Sequence, residues 1–114
     1  MDELDPTAVR ATLGAERSRL LAELGEEIQA PGQMTYGSQA AAASQVFEQQ
    51  RDLALRDRAA QQLELVEAAI ERLDQGTFGV CVRCGDPIAV ARLEALPWAA
   101  HCIGCQSALD RGRR

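Results

Sequence analysis

Four cysteines stand in two close pairs in the last third of the chain: Cys81-Val82-Arg83-Cys84, then seventeen residues, then Cys102-Ile103-Gly104-Cys105. Thiolates are soft ligands, and two CxxC pairs at this separation form a four-sulfur metal cage of the kind zinc prefers. Two intervening residues let a tight turn aim both sulfurs of a pair at one ion. Gly85 and Gly104 suit such turns, because glycine tolerates positive φ. Cys81, Cys84, Cys102 and Cys105 are therefore the expected ligands of one Zn2+ ion. With all four positions taken by protein, no coordination site remains for water, so the zinc is structural. Its binding contributes on the order of 10–16 kcal/mol at pH 7 to a segment with little apolar core of its own.

Iron in the same cage is the nearest alternative, since sequence separates it poorly from zinc. A redox CxxC expects a βαβ context that is absent here, and two disulfides would need an oxidising compartment. His101 reads as a surface histidine beside the finger rather than as a ligand. Trp98, after Pro97, reads as a packing residue over the metal loop, and the terminal RGRR as a solvated tail. The single histidine and four committed cysteines leave no Ser/His/Asp or Cys/His catalytic arrangement, so no enzyme is expected.

The elements that must position this cage are helical. Of 114 residues 46% are apolar, but much of that is alanine and only 4% are aromatic. Such a composition favours elongated helical packing over a thick core. Asp5 can cap a first helix with Pro6 at its first position. Val9, Leu13, Leu20, Leu21, Leu24 and Ile28 then form one stripe, until Pro31-Gly32 breaks the helix. Ser38 can cap a second helix, which meets no proline or glycine until Gly76. Its seam, Ala59, Leu63, Val66, Ile70 and Leu73, has heptad spacing. Glu64, Glu67, Glu71 and Asp74 read as its solvated face.

The expected fold is mainly α. Residues 1–75 form a long antiparallel hairpin, or coiled coil, with helices over about 6–30 and 39–75 and a tip loop over 31–38. Residues 76–114 form a four-cysteine zinc-finger module with a short C-terminal helix and a basic tail. The arms measure roughly 36 and 55 Å, so the second outreaches the first.

The formal net charge is −5. Residues 1–75 hold seven Arg and fourteen acids; residues 76–114 hold five Arg and three acids. A chain this acidic is a poor sequence-independent DNA binder, and a protein surface is the expected partner. Neither a run of about 18 apolar residues nor a signal-peptide pattern occurs, which predicts a soluble, cytoplasmic protein with no membrane partner.

The stretch Phe78-Gly79-Val80-Cys81-Val82-Arg83-Cys84-Gly85 resembles the DksA/TraR zinc-finger family. So do Pro87-Ile88, Arg92-Leu93-Glu94-Ala95, Pro97 and Cys102-Ile103-Gly104-Cys105, and Leu55-Arg56-Asp57-Arg58 at its distance from the first cysteine. The resemblance implies a bacterial transcription regulator that binds RNA polymerase without reading DNA sequence. In that family the hairpin enters the polymerase secondary channel, and acidic tip residues in a D-x-x-D-x-A pattern act near the active site. Counted back from Cys81, those aspartates fall on Ser38 and Ala41, and only the alanine, Ala43, is kept. No Asp or Glu occurs between Glu27 and Glu48. Positions that help bind ppGpp in the family fall on Leu65, Leu96 and Gln106, none charged, so a ppGpp-coupled response is not expected. Arg58 matches a rim-contacting arginine, and Arg92 lies in the matched finger. Ser38, Gln39, Ala41, Ala43, Arg58 and Arg92 are thus the polymerase-contact candidates that the resemblance implies.

Two other readings stay open on the residues alone. One is a zinc-ribbon nucleic-acid binder using Arg83, Arg92, Arg111, Arg113 and Arg114, or a protein-binding module acting away from the polymerase channel. The other is a redox-sensitive zinc switch, since thiolates are the oxidisable form.

Overall fold

The computed structural model describes residues 4–25 and 39–112. Four helices follow one another: α1 (Pro6–Gly25), α2 (Gln39–Gln75), α3 (Val90–Ala95) and α4 (Ile103–Gly112). Among the described residues the only β pairing is an isolated antiparallel bridge, Val80 to Pro87. No described helix is long and apolar enough to cross a membrane.

Asp5 starts α1 as expected. Its Oδ1 accepts the Thr7 N–H at 3.0 Å, and its carbonyl accepts the Val9 N–H at 2.9 Å. Val9, Leu13 and Leu20 are buried on the inner face, with Leu24 packed beside them. Leu21, expected in the same stripe, is 42% exposed. It follows Leu20 by one residue and is turned about 100° away from it on the helix. Ile28 and the tip loop lie outside the described residues.

The seam of α2 meets this face. Ala59 and Val66 are buried in the same cluster, and Leu63, Ile70 and Leu73 pack against it. Ala69 is also fully buried. A small side chain there lets the two helix axes approach closely.

Polar pairs fix the register. Arg10 Nη2 meets Asp74 Oδ1 at 2.6 Å, and Arg17 Nε meets Glu67 Oε2 at 3.0 Å. The two pairs are one heptad apart on each arm and run in opposite directions, as an antiparallel hairpin requires. Gln62 Nε2 donates to Glu16 Oε2 at 2.6 Å, and Arg19 holds both Glu16 and Glu23 on α1. These groups are largely half-exposed, so solvent screens each pair and its contribution to stability is small. Their role is selection of register, while the apolar seam supplies the stability. Glu67 and Asp74 are therefore cross-arm partners as well as a solvated face.

Gly76 ends α2. It takes φ +77°, its N–H reaches the Leu73 carbonyl at 3.2 Å, and the Thr77 N–H reaches Arg72 at 2.9 Å. This is a Schellman closure, which needs a left-handed residue at that position.

Beyond it lies a second, smaller core of Cys81, Ile88, Leu93 and Ala99. Leu4 and Phe78 pack against both cores and so join finger to hairpin. Trp98 departs from expectation. It packs against the hairpin cluster rather than over the metal loop, and so adds another contact between the finger segment and the hairpin.

Candidate metal centre

The first knuckle is a tight reversal closed by backbone bonds. Cys81 N–H donates to Asp86 at 2.8 Å and Ile88 N–H to Gly79 at 2.8 Å, on either side of the Val80–Pro87 bridge. Gly85, at φ +81°, turns the chain back so that its N–H meets the Cys81 carbonyl at 2.9 Å. The Asp86 N–H then points at Cys84 Sγ, 3.5 Å away.

The second knuckle is built differently from the first. Cys102 occupies the N-cap of α4, and its Sγ accepts the Cys105 N–H at 3.4 Å. Gly104, expected to need positive φ, lies inside the first turn of α4 and does not take it. The physical reason is the cap: once the sulfur of Cys102 accepts the third amide of the helix, the helix itself presents Cys105. The knuckles are tied by the Val82 N–H, which donates to Ala100 at 2.9 Å. A further tie comes from α3, where Arg92 Nε donates to the His101 carbonyl at 3.0 Å.

These turns bring the four sulfurs within 4.8 Å of one another. Cys84 Sγ and Cys102 Sγ are 3.8 Å apart. A tetrahedron with Zn–S bonds of about 2.3 Å has edges of about 3.8 Å, so the donor set fits zinc. His101 is not part of the cluster. Cys81 is buried, Cys84 exposed, and Cys102 and Cys105 lie between.

The thiols do not ionise alike. Burial pushes Cys81 up, but backbone groups of Cys84, Cys102 and Arg83 outweigh it and bring its pKa down to about 6. Cys105 is pushed up to about 12, first by its hydrogen bond with Cys102 and then by burial and the other thiols. Cys84 is also raised. The Asp86 amide works to lower it, but burial and the hydrogen bonds with Cys81 and Cys102 prevail. The quartet accepts a first negative charge readily and resists the last. A divalent cation at the centre is what allows all four to be thiolates together.

The cysteines are thus brought to one point, and the other candidates are not. Ala43 is exposed near the start of α2, and Arg58 is exposed farther along it, about 22 Å away at 1.5 Å per residue. Gln39 and Ala41 lie in the first turn of α2, and Ser38 is outside the described residues. Arg92 is half-buried in the finger, with its Nε engaged. The amides of Asp86 and Cys105 carry no sequence signal, since every residue but proline has a backbone N–H, and the Arg92 engagement ends on a carbonyl, which every residue has.

Comparison with known proteins agrees with this geometry. The model of the prokaryotic dksA/traR C4-type zinc finger matches residues 76–111. The RNA polymerase-binding transcription factor DksA of Haemophilus influenzae is 35% identical over 92 residues, covering 81% of this chain and 60% of that protein. An uncharacterized protein of Aquifex aeolicus is 39% identical over 49 residues, covering 43% of this chain and 34% of its own. The chain thus spans between a third and three-fifths of the length of these two curated relatives. The solved structure of transcription factor DksA2 from Pseudomonas aeruginosa matches with a TM-score of 0.77 and 30% identity, covering 99% of this chain and 89% of that one.

Proposed function

The chain belongs to the DksA/TraR zinc-finger family, and from that premise we propose that it is a non-enzymatic transcription regulator that binds RNA polymerase. The observation that carries the reading is the match of the whole hairpin-plus-finger architecture to DksA2, over 99% of the chain. The Haemophilus relative is named as an RNA polymerase-binding transcription factor, which supports the same partner.

The finger holds one zinc ion on Cys81, Cys84, Cys102 and Cys105. Bound there, zinc supplies cross-linking and no chemistry, because the four sulfurs complete a tetrahedron. The work of this chain's residues is placement. The finger and the ion-paired base of the hairpin present Arg58 to the polymerase surface, and α2 carries Gln39, Ala41 and Ala43 toward the secondary channel. With Ser38 and Ala41 at the positions of the family's acidic pair, the tip brings no carboxylate to the catalytic magnesium. It acts by occupying space and by neutral contacts, without ppGpp.

Purified protein should co-elute with core RNA polymerase and should alter open-complex lifetime in transcription assays. Absence of binding at micromolar concentration overturns the reading. A variant carrying Ser38→Asp and Ala41→Asp isolates the tip. It gains regulatory strength if charge is what the tip lacks, at unchanged polymerase affinity.

A further inference from the structure

Arg92 donates through Nε to the carbonyl of His101, the residue immediately before the ligand Cys102, at 3.0 Å. The preceding carbonyl, Ala100, accepts the Val82 N–H at 2.9 Å. Two successive carbonyls ahead of Cys102 are therefore held from two different elements, the first knuckle and α3. The Val82 bond is made by backbone and does not depend on the side chain at that position, proline excepted. The Arg92 bond depends on one side chain.

Arg92 is itself well fixed. Its N–H reaches the Ala89 carbonyl at 3.0 Å, and its carbonyl receives the Leu96 N–H at 2.7 Å. The next residue, Leu93, is only 5% exposed and anchors α3 in the core that also buries Cys81. The guanidinium side chain lines a shallow groove with Cys102 and Ile103. It thus brings a positive charge beside a ligand set that is dianionic once four thiolates hold one Zn2+. Of the hydrogen bonds made by finger side chains other than cysteine, this one ends on a residue adjacent to a ligand.

We infer that Arg92 is a positioning residue for the metal centre: through the His101 carbonyl it sets the orientation of Cys102. This rests on the reading of the quartet as a zinc site. It also gives Arg92 a task inside the finger, distinct from a contact with polymerase.

The test compares full-length wild type with Arg92→Met and Arg92→Lys. Methionine keeps an unbranched stem and removes both donor and charge. Lysine keeps the charge and places an ammonium one bond beyond the position of Nε. Zinc affinity is measured by competition with a chromophoric chelator, and ligand geometry by the visible spectrum of the Co2+-substituted proteins. Circular dichroism of α1 and α2 serves as the folding check. Outer-shell partners of metal ligands typically change affinity by about 10–100-fold. Arg92→Met should weaken zinc by that factor and shift the cobalt d–d bands. Arg92→Lys should recover most of the affinity and the wild-type spectrum. Met-variant affinity within threefold of wild type with an unchanged spectrum overturns the inference, and so does equal loss in both variants, unfolding included. Wild type that binds no metal overturns the zinc reading and this inference with it, whereas metal-binding wild type with an unimpaired Met variant overturns this inference alone.

Discussion

Removing zinc should unfold the finger and leave the hairpin standing. The finger's buried core is Cys81, Ile88, Leu93 and Ala99, with only two large aliphatics among them. Burial of Ile88 and of Leu93 contributes about 1.5–3 kcal/mol each, against about 10–16 kcal/mol for a structural zinc at pH 7. The metal therefore outweighs the aliphatic pair severalfold. The hairpin rests on a different set: Val9, Leu13, Leu20, Ala59, Val66 and Ala69. The helices at stake in the finger are α3, of six residues, and α4, of ten, against 20 in α1 and 37 in α2. Chelation should then remove about a fifth of the far-ultraviolet helical signal, and added zinc should restore it. The one tryptophan reports separately, because Trp98 belongs to the finger and packs on the hairpin cluster. Its emission should shift to the red as the finger undocks. Loss of half or more of the helical signal would refute the independence of the hairpin core. No loss at all would refute the claim that the finger needs its metal.

Three further outcomes follow from the same geometry. Zinc binding at pH 7 should release at least two protons, since Cys84 and Cys105 are raised while Cys81, at about 6, is already largely ionised. Below about pH 6 one more proton, that of Cys81, must leave, so affinity should fall more steeply with acid; calorimetry in buffers of different ionisation enthalpy reads the count, and a release below two at pH 7 contradicts the sequence of ionisations. The Arg19 guanidinium beside Glu16 holds that carboxyl below its ordinary 4.5, against the opposing effect of partial burial. A depressed carboxyl stabilises the fold fully above its unfolded pKa and loses that contribution as pH falls through the folded one, so the stability gap between wild type and Glu16→Gln should close in acid; a gap that persists at pH 2 contradicts the pairing. Leu13→Ala, at a fully buried position, should destabilise the hairpin by about 2.7–5 kcal/mol in denaturant melts while zinc stoichiometry stays at that of wild type; a change under about 1 kcal/mol would mean that Leu13 is not central to the core.

How much of this was legible in the chain depends on whether the deciding physics is local. The Asp5 cap, the Gly76 stop, the α2 seam and the cysteine quartet depend on residues a few positions apart, and all four appear as read. Gly104 shows the limit of the same reasoning. A glycine beside a CxxC suggests a left-handed turn, but the second knuckle is a helix start, and a helical glycine gives no signature of its own. Trp98 and Ala69 were not legible, because which face a side chain meets depends on how two elements dock. The cross-arm pairs from Arg10 to Asp74 and from Arg17 to Glu67 likewise require the register, which helix periodicity alone does not supply. Arg92 was visible as a basic residue in the finger, but its partner is a backbone carbonyl, and carbonyls are present at every position.

The division of labour along α2 shows how the family's finger can stay constant while the outer arm varies. Carried back toward the N-terminus in heptad steps, the seam positions before Ala59 are Arg56, Asp52, Gln49, Gln45 and Ala42. The apolar seam thus ends where the described part of α1 ends, and the same face continues with polar and small residues. Larger apolar side chains on this part of the arm lie off the seam instead: Phe47 is 73% exposed, and Val46 and Leu53 are nearly half exposed. Stability therefore concentrates at the base, where the buried cluster, the ion pairs, the Schellman turn and the zinc module meet. Among the described residues the outer arm adds no side chain to the buried cluster, so changes there should leave that cluster intact. Substitutions toward the start of α2 should therefore leave the base intact. The residues that make the family recognisable and the residues that would set regulatory output are thus held by different forces, and the second set can diverge while the first does not.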